Sequence, residues 1–271
     1  MHWLIQDKFN YDPAVRDLVA NLKRLEINHS FVKAIPFSED GLIADFDLDD
    51  IDEPIFTYGS YTLSKIVYNR GYRPGAFISP LISLNHLLDN YGDNMLNNDM
   101  RFFPLKEVID NIGDEEFFVR PMEDTKSFTA EVTNKERFSD FVENIKGLGD
   151  GYSTVDMDTM VAISKPKSIQ QEIRFFIVNG KISTYSTYKI GDRVCYDGFV
   201  DRDAIDFVSA LVGFGNWNPD IAYVIDVAMS NDEPKILEVN SINSSGLYGI
   251  DTQKFIMSIE DLSRFEWRKE K

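Results

Sequence analysis

The chain has 271 residues, of which 43% are hydrophobic and 13% aromatic, and its formal net charge is −17. This composition is typical of a globular protein with hydrophobic cores and excludes a disordered chain. The acidic balance argues against an extended nucleic acid as a partner, because phosphate backbones require a basic surface. No run of about 18 apolar residues occurs, so the sequence predicts no membrane span.

The first residues enter a strand pattern without the basic and apolar segments of a secretory signal. One cysteine, Cys195, excludes an internal disulfide and fits a reducing compartment. We therefore expect a cytoplasmic location, which is the host cytoplasm if a phage encodes the chain. The sequence leaves the oligomeric state open.

Residues 1–95 alternate strand and helix patterns, which favours a small N-terminal α/β domain with parallel strands. His2 to Gln6 predicts a strand, and Asp12-Pro13 caps a helix with apolar residues at helical spacing. Further strands are expected over 30–35 and 54–58, and a second helix over 63–71.

Residues 96–271 predict two α+β lobes rich in antiparallel strands, at about 96–165 and 166–271. The expected strands lie over 116–121, 127–133, 159–164 and 169–185, with an Asn179-Gly180 turn in the last range. Helices are expected over 133–148, 201–213 and 253–268. The whole chain is therefore predicted to have a mixed α+β fold.

A predicted hairpin near the end of the chain, with its turn over 230–234, carries the first candidate site. Asp226 lies in its first strand, and Glu238 and Asn240 lie two residues apart in the second, so the latter two share one face. If the strands pair, Asp226 joins them there. Two carboxylates and an amide oxygen suit Mg²⁺. The alternative from the residues alone is that Asp226 faces solvent and Glu238 pairs with a lysine.

Cationic side chains upstream complete a constellation. Arg120 lies on an apolar strand, Lys126 lies in the loop after it, and Glu172 and Arg174 alternate on a later strand. Phosphate-binding cations together with acidic metal ligands are the parts needed to hold a nucleoside triphosphate. Taken singly, Arg120 also fits a structural ion pair, Lys126 a mobile loop, and Glu172 an internal pair with a lysine.

These segments resemble the ATP-grasp superfamily, and more narrowly its phage and bacterial family named for two arginines and a lysine. The resemblance rests on Phe117-Phe-Val-Arg-Pro121 with Lys126, on Glu172-Ile-Arg-Phe-Phe-Ile-Val-Asn-Gly-Lys181, and on Ile236-Leu-Glu-Val-Asn240. It implies a two-lobed fold, preceded by the N-terminal domain, with the nucleotide between two antiparallel β-sheets. The cofactors it implies are ATP and Mg²⁺.

The resemblance also implies roles for individual residues. Arg120 and Lys126 would contact phosphate, and Arg174 would bind the γ-phosphate or an acyl phosphate, so these three are the catalytic candidates. Asp226, Glu238 and Asn240 would hold Mg²⁺. The backbone of the strand between the lobes would meet adenine, and the remaining nucleotide contacts would come from nearby polar residues: Val161, Ala162, Ile163 and Ser164 for the former, Lys167 and Glu172 for the latter.

The activity that the resemblance implies is an ATP-dependent carboxylate–amine, or carboxylate–nucleophile, ligase that works through an acyl phosphate and releases ADP and phosphate. No protein nucleophile is required, which fits a chain without Gly-x-Ser-x-Gly or P-loop motifs. The carboxylate and amine substrates are not identified by the sequence. Two alternatives stay open: a kinase or nucleotidyl transferase on a small molecule or RNA end, and a non-catalytic nucleotide-binding module.

Overall fold

The computed structural model describes residues 1–36, 38, 40–122, 128–148, 155–213 and 215–264. The predicted mixed α+β class is confirmed. Within the described residues, none of the helices has the length and apolar character needed to cross a bilayer. The strands are β1 (His2–Gln6), β2 (His29–Ala34), β3 (Leu42–Ile43), β4 (Ile55–Tyr58), β5 (Pro74–Gly75), β6 (Arg101–Pro104), β7 (Phe117–Pro121), β8 (Glu131–Thr133), β9 (Met160–Ser164), β10 (Gln171–Val178), β11 (Lys181–Ile190), β12 (Arg193–Asp197), β13 (Ala222–Ser230) and β14 (Glu233–Ser241). The α-helices are α1 (Pro13–Arg24), α2 (Tyr61–Asn69), α3 (Leu84–Tyr91), α4 (Val108–Asn111), α5 (Lys135–Leu148), α6 (Arg202–Val212) and α7 (Thr252–Asp261).

The chain forms two compact units. The large unit combines Met1–Ile82 with the chain from Ile169 onward, and the small unit is Ser83–Ser168. The domain boundaries expected at residue 95 and at about residue 165 stay predictions.

The large unit contains two five-stranded sheets. The first has the order β3-β2-β1-β4-β5, and its strands pair in parallel except for β2 with β3. The second has the order β12-β11-β10-β13-β14 and is antiparallel throughout. We call it the site sheet.

One hydrophobic core joins both sheets of the large unit. Trp3 and Phe56 of the first sheet, Phe176 of the site sheet and Phe255 of α7 belong to the same buried cluster. The Trp3 ring lies edge-on to Phe255, with ring centroids 5.8 Å apart, and its indole N–H donates to Glu260 at 2.7 Å. The N-terminal 82 residues and the C-terminal part of the chain therefore fold around a shared core.

The small unit is a four-stranded antiparallel sheet of order β6-β9-β7-β8. Its core packs Val119 and Ile163 from the sheet against Leu105, Val108 and the α5 residue Phe138. The apolar face predicted for α5 is thus the face that closes this core.

Tight turns fix the registers of the site sheet. Asn179 and Gly180 between β10 and β11 have φ of 50° and 67°, and Asn231 and Asp232 between β13 and β14 have φ of 51° and 62°. Two consecutive residues with positive φ form the two-residue hairpin turn that matches strand twist. The second turn is shorter than the predicted turn over 230–234, because β13 extends to Ser230 and β14 already begins at Glu233.

Candidate active site

The hairpin register brings the three predicted metal ligands together. Asp226 lies directly opposite Glu238 across β13 and β14. The Asn240 amide Nδ2 donates to Glu238 Oε1 at 2.9 Å and lies 3.5 Å from Asp226 Oδ2. The amide thus lies between two carboxylates that would otherwise repel each other. The predicted shared face is observed.

Asp226 is paired with Arg174, which the sequence did not reveal. The two residues lie opposite each other across β10 and β13. Arg174 donates from Nε to Asp226 Oδ1 at 2.7 Å and from Nη2 to Oδ2 at 2.6 Å. Arg174 is 6% exposed and Asp226 is 0% exposed. The alternative in which Asp226 faces solvent is therefore wrong.

Burial and charge oppose each other in this pair. Burial raises the pKa of the Asp226 carboxyl to about 7, the Arg174 guanidinium opposes that shift, and Glu238 reinforces it. Burial alone would lower the pKa of Arg174, but the contact with Asp226 raises it above its ordinary value. The guanidinium accordingly stays charged, and Asp226 gains affinity for any cation placed beside it.

Glu172 is held on the same sheet by two partners. Its Oε2 accepts from the Tyr188 hydroxyl at 2.6 Å, and its Oε1 lies 2.6 Å from Lys189 Nζ. The interpretation of Glu172 as the partner of a lysine is confirmed. Its predicted role as a nucleotide contact stays a prediction, and Lys189, whose side chain is 36% exposed, is an additional cation at this site.

Arg174 is also in contact with backbone and rings. Its Nη1 donates to the Gly246 carbonyl at 3.2 Å, and its Cζ lies 5.4 Å and 5.0 Å from the ring centroids of Tyr188 and Tyr248. Three of its five N–H groups are engaged. Among the described residues, no acceptor lies within hydrogen-bond distance of the other two.

The loop after β14, which carries Gly246, is attached to the ends of the parallel strands. Buried Asn243 donates from Nδ2 to the Thr57 carbonyl at 2.6 Å and accepts from the Phe77 N–H at 2.7 Å. The Tyr58 hydroxyl donates to the Ser245 carbonyl at 2.8 Å. The first sheet therefore sets the position of the loop that contacts Arg174.

The other predicted site residues belong to the small unit or lie outside the described residues. Arg120 is partly buried on β7, its Nε lies 3.3 Å from the Pro121 carbonyl, and it forms no salt bridge with any described residue. Lys167 Nζ lies 2.9 Å from Asp99. Lys126 lies outside the described residues.

The strand expected to contact adenine is the inner strand β9. Over Val161–Ile163 its backbone pairs with β6 on one edge and with β7 on the other, and Ser164 pairs with β7. Val161 to Ser164 are all buried. Backbone groups without ladder partners begin after Ser164.

The donor set fits Mg²⁺ in one particular manner. Within the described residues, no three His, Cys, Asp or Glu side chains gather as a metal site. Asp226, Glu238 and Asn240 supply only two carboxylates and an amide. Mg²⁺ is commonly bound by one or two carboxylates together with phosphate oxygens, so this set suits a metal that arrives with a nucleotide.

Solved structures define the fold as that of the ATP-grasp enzymes. D-cycloserine synthetase DcsG matches with a TM-score of 0.63 at 11% identity, over 97% of this chain and 100% of that chain. The ATP-grasp ligase PsnB matches with a TM-score of 0.57 at 10% identity, over 97% of both chains. D-alanine–D-alanine ligase from Bacillus anthracis matches with a TM-score of 0.57 at 14% identity, over 96% of both chains.

The sequence assigns the family within that fold. The model of an ATP-grasp domain family, the second family of the clade named for two arginines and a lysine, matches residues 100–257, which is more than half of the chain. The chain belongs to this family, and the predicted ATP-grasp resemblance is confirmed. A comparison with curated protein sequences found no match.

Proposed function

We propose that the protein is an ATP-dependent ligase that joins a carboxylate to an amine, or to another nucleophile, through an acyl phosphate. The observation that carries this proposal is the cluster of Arg174, Asp226, Glu238 and Asn240 on one face of the site sheet, in a chain of the ATP-grasp family. Two supporting structures of the ligase PsnB contain AMPPNP with a precursor peptide, and Mg with ADP.

The residues divide the chemistry as follows. Asp226, Glu238 and Asn240 would hold Mg²⁺, which neutralises phosphate charge when bound. The two unengaged N–H groups of Arg174 are donors for a phosphoryl oxygen, and the bidentate contact with Asp226 fixes their direction. Because Arg174 is already ordered, little conformational entropy is lost when phosphate binds.

The reaction has two balanced steps. A substrate carboxylate oxygen attacks the γ-phosphorus of ATP, the bond to the β–γ bridging oxygen breaks, and ADP leaves. The amine nitrogen then attacks the acyl carbon, the carbon–oxygen bond to phosphate breaks, phosphate leaves, and the nitrogen loses a proton to solvent. The chain contributes positioning and charge stabilisation and forms no covalent intermediate of its own.

The small unit supplies the remaining proposed contacts. Arg120 and Lys126 are proposed as phosphate contacts, and Lys167 as a further nucleotide contact. Since the backbone of Val161–Ile163 is paired on both edges, a backbone contact with adenine is better supplied by the segment from Ser164 onward.

The test uses the full chain with Mg-ATP and pooled carboxylates and amines. We expect ADP and phosphate in equal amounts with a new amide product, and a hydroxamate when hydroxylamine replaces the amine. AMP with pyrophosphate, ADP without free phosphate, or no turnover would contradict the proposal, in favour of a nucleotidyl transferase, a kinase or a binding module respectively.

Matched variants locate the activity. Glu238→Gln should abolish turnover, because one of the two carboxylates that hold Mg²⁺ is lost. Glu233→Gln, on the same strand but exposed, should leave turnover unchanged. Equal activity of both variants would contradict the assignment of the site.

A further inference from the structure

We propose that Tyr248 is a positioning residue, which fixes the guanidinium plane of Arg174 for phosphate binding together with the ring of Tyr188. This inference rests on the proposed function, since it assigns how the phosphate-binding arginine is oriented. Three observations carry it: the ring contacts, the backbone conformation of Tyr248, and the glycines beside it.

The rings form an ordered column next to Arg174. Tyr188 and Tyr248 stack with centroids 4.8 Å apart and an interplanar angle of 10°. Tyr196 extends the column on Tyr248, at 5.8 Å and 27°. The Arg174 Cζ lies 5.0 Å from the Tyr248 centroid, within cation–π distance.

Hydrogen bonds alone leave this orientation incomplete. Asp226 holds one edge of the guanidinium and the Gly246 carbonyl holds Nη1, and both are acceptors that act in or near the guanidinium plane. Contacts from ring faces act on the guanidinium group in addition to these bonds. They leave its N–H groups free to donate, as a phosphate ligand requires.

The backbone at Tyr248 is unfavourable for a tyrosine. Its φ is 49°, in the left-handed region that bulky residues rarely adopt. Gly246 and Gly249, which would accept unusual backbone conformations more readily, stand on either side of it. The chain places a large ring at the strained position, which indicates that the ring itself is needed there.

Both glycines make room for the column. A Cβ at Gly246 would lie 3.3 Å from the Tyr248 ring and 3.6 Å from Arg174 Nη1, and a Cβ at Gly249 would lie 3.1 Å from the Tyr196 backbone. The absence of these atoms permits the close approach of the carbonyl, the rings and the guanidinium. The loop sequence Gly-Leu-Tyr-Gly is therefore matched to this contact.

The first readout does not depend on catalysis. The Nε–H proton signal of Arg174, assigned by its loss in Arg174→Lys, reports by its solvent exchange how firmly the group is held. Tyr248→Leu should speed that exchange several-fold, whereas Tyr248→Phe should leave it within about twofold of the wild type. Tyr185→Leu is the matched control, because Tyr185 packs against Phe175 on the opposite face of the site sheet.

The second readout is kinetic. Tyr248→Leu should lower kcat about tenfold, with a smaller change in the KM for ATP, and Tyr248→Phe should restore it. In the Arg174→Lys background, Tyr248→Leu should have little further effect, because the two residues act as one unit. A purely structural role would instead give additive losses that follow the melting temperature.

The outcomes separate the two proposals. Slow Nε–H exchange that depends on Tyr248, without turnover in the wild type, supports positioning and contradicts the ligase assignment. Turnover that Tyr248→Leu leaves unchanged, or exchange that Tyr248→Leu does not alter, overturns the positioning role and leaves the ligase assignment intact.

Discussion

Replacing Arg174 by methionine tests the buried pair on which the site is built. Met keeps an unbranched side chain of similar length but removes the charge and all five donors. Asp226 then remains fully buried without its guanidinium partner. Glu238, which lies opposite it, continues to disfavour ionisation.

The magnitude of the loss should depend on pH. Breaking a buried ion pair by removing one partner costs about 3–5 kcal/mol, because the other charge is left uncompensated. Burial already raises the pKa of Asp226 to about 7 against the influence of Arg174, so removing Arg174 raises that pKa further. Below its new pKa the carboxyl is neutral, and the cost falls towards the roughly 1–3 kcal/mol of the lost hydrogen bonds.

The sign follows from the direction of the shift. A carboxyl with a raised folded-state pKa contributes its stability fully below the unfolded pKa and loses it as pH rises through the folded pKa. Arg174→Met should therefore be closest to the wild type near pH 5 and lose stability steadily towards pH 8.5. Each pH unit between the two pKa values changes the difference by at most about 1.4 kcal/mol.

Urea unfolding at pH 5, 7 and 8.5 measures this effect. The double variant Arg174→Met/Asp226→Asn, which removes the buried charge, should recover most of the loss at pH 8.5. Arg202→Met removes an exposed pair with Asp206 and should show no pH trend relative to the wild type. If the loss in Arg174→Met were independent of pH, or if the double variant were less stable than the single one, the buried-charge explanation would be refuted.

Three further predictions concern other parts of the chain. Burial raises the pKa of Asp220 to about 6, so its stabilising contribution is lost as pH rises through 6; Asp220→Asn should flatten the change in melting temperature between pH 4 and 7 and add about 1–2 kcal/mol at pH 7, and a steeper profile would contradict this. Asn243→Ala leaves the buried Thr57 carbonyl and Phe77 N–H without their partner, so urea unfolding should show a loss of about 2–4 kcal/mol, while Ser244→Ala, at an exposed neighbour, should be neutral; equal effects would argue against the attachment of the loop. Calorimetry with Mg²⁺ alone should detect only weak binding, because the site supplies two carboxylates and an amide, and tight binding without nucleotide would show that protein ligands suffice.

Local patterns predicted the elements of the site sheet well. The Asn179-Gly180 turn and the apolar strands around it specify β10 and β11, and the hairpin of β13 and β14 follows from its own sequence. The common face of Asp226, Glu238 and Asn240 could be predicted because these residues lie within one hairpin, whose register is set locally. The edge strand β12 was not predicted, because its residues are mostly exposed and show no apolar alternation.

Pairing between distant segments could not be predicted. The contact of Arg174 with Asp226 joins β10 to β13, which a helix and two strands separate along the chain, and nothing in either strand specifies that register. The same holds for Tyr248, whose role depends on a positive φ in a loop. The sequence predicted which residues have suitable chemistry, but the tertiary register decided that Arg174 and Asp226 bind each other before any ligand binds.

The shared core of the large unit has a consequence for work with fragments of the chain. The segment that matches the family, 100–257, starts after Trp3 and Phe56 and ends shortly before Ile259 and Leu262, all of which belong to that core. A fragment cut at the family boundaries would retain Arg174, Asp226 and Glu238 but expose the apolar surfaces that those four core side chains cover. The stretch of sequence that identifies the family is therefore shorter than the stretch required to fold the site.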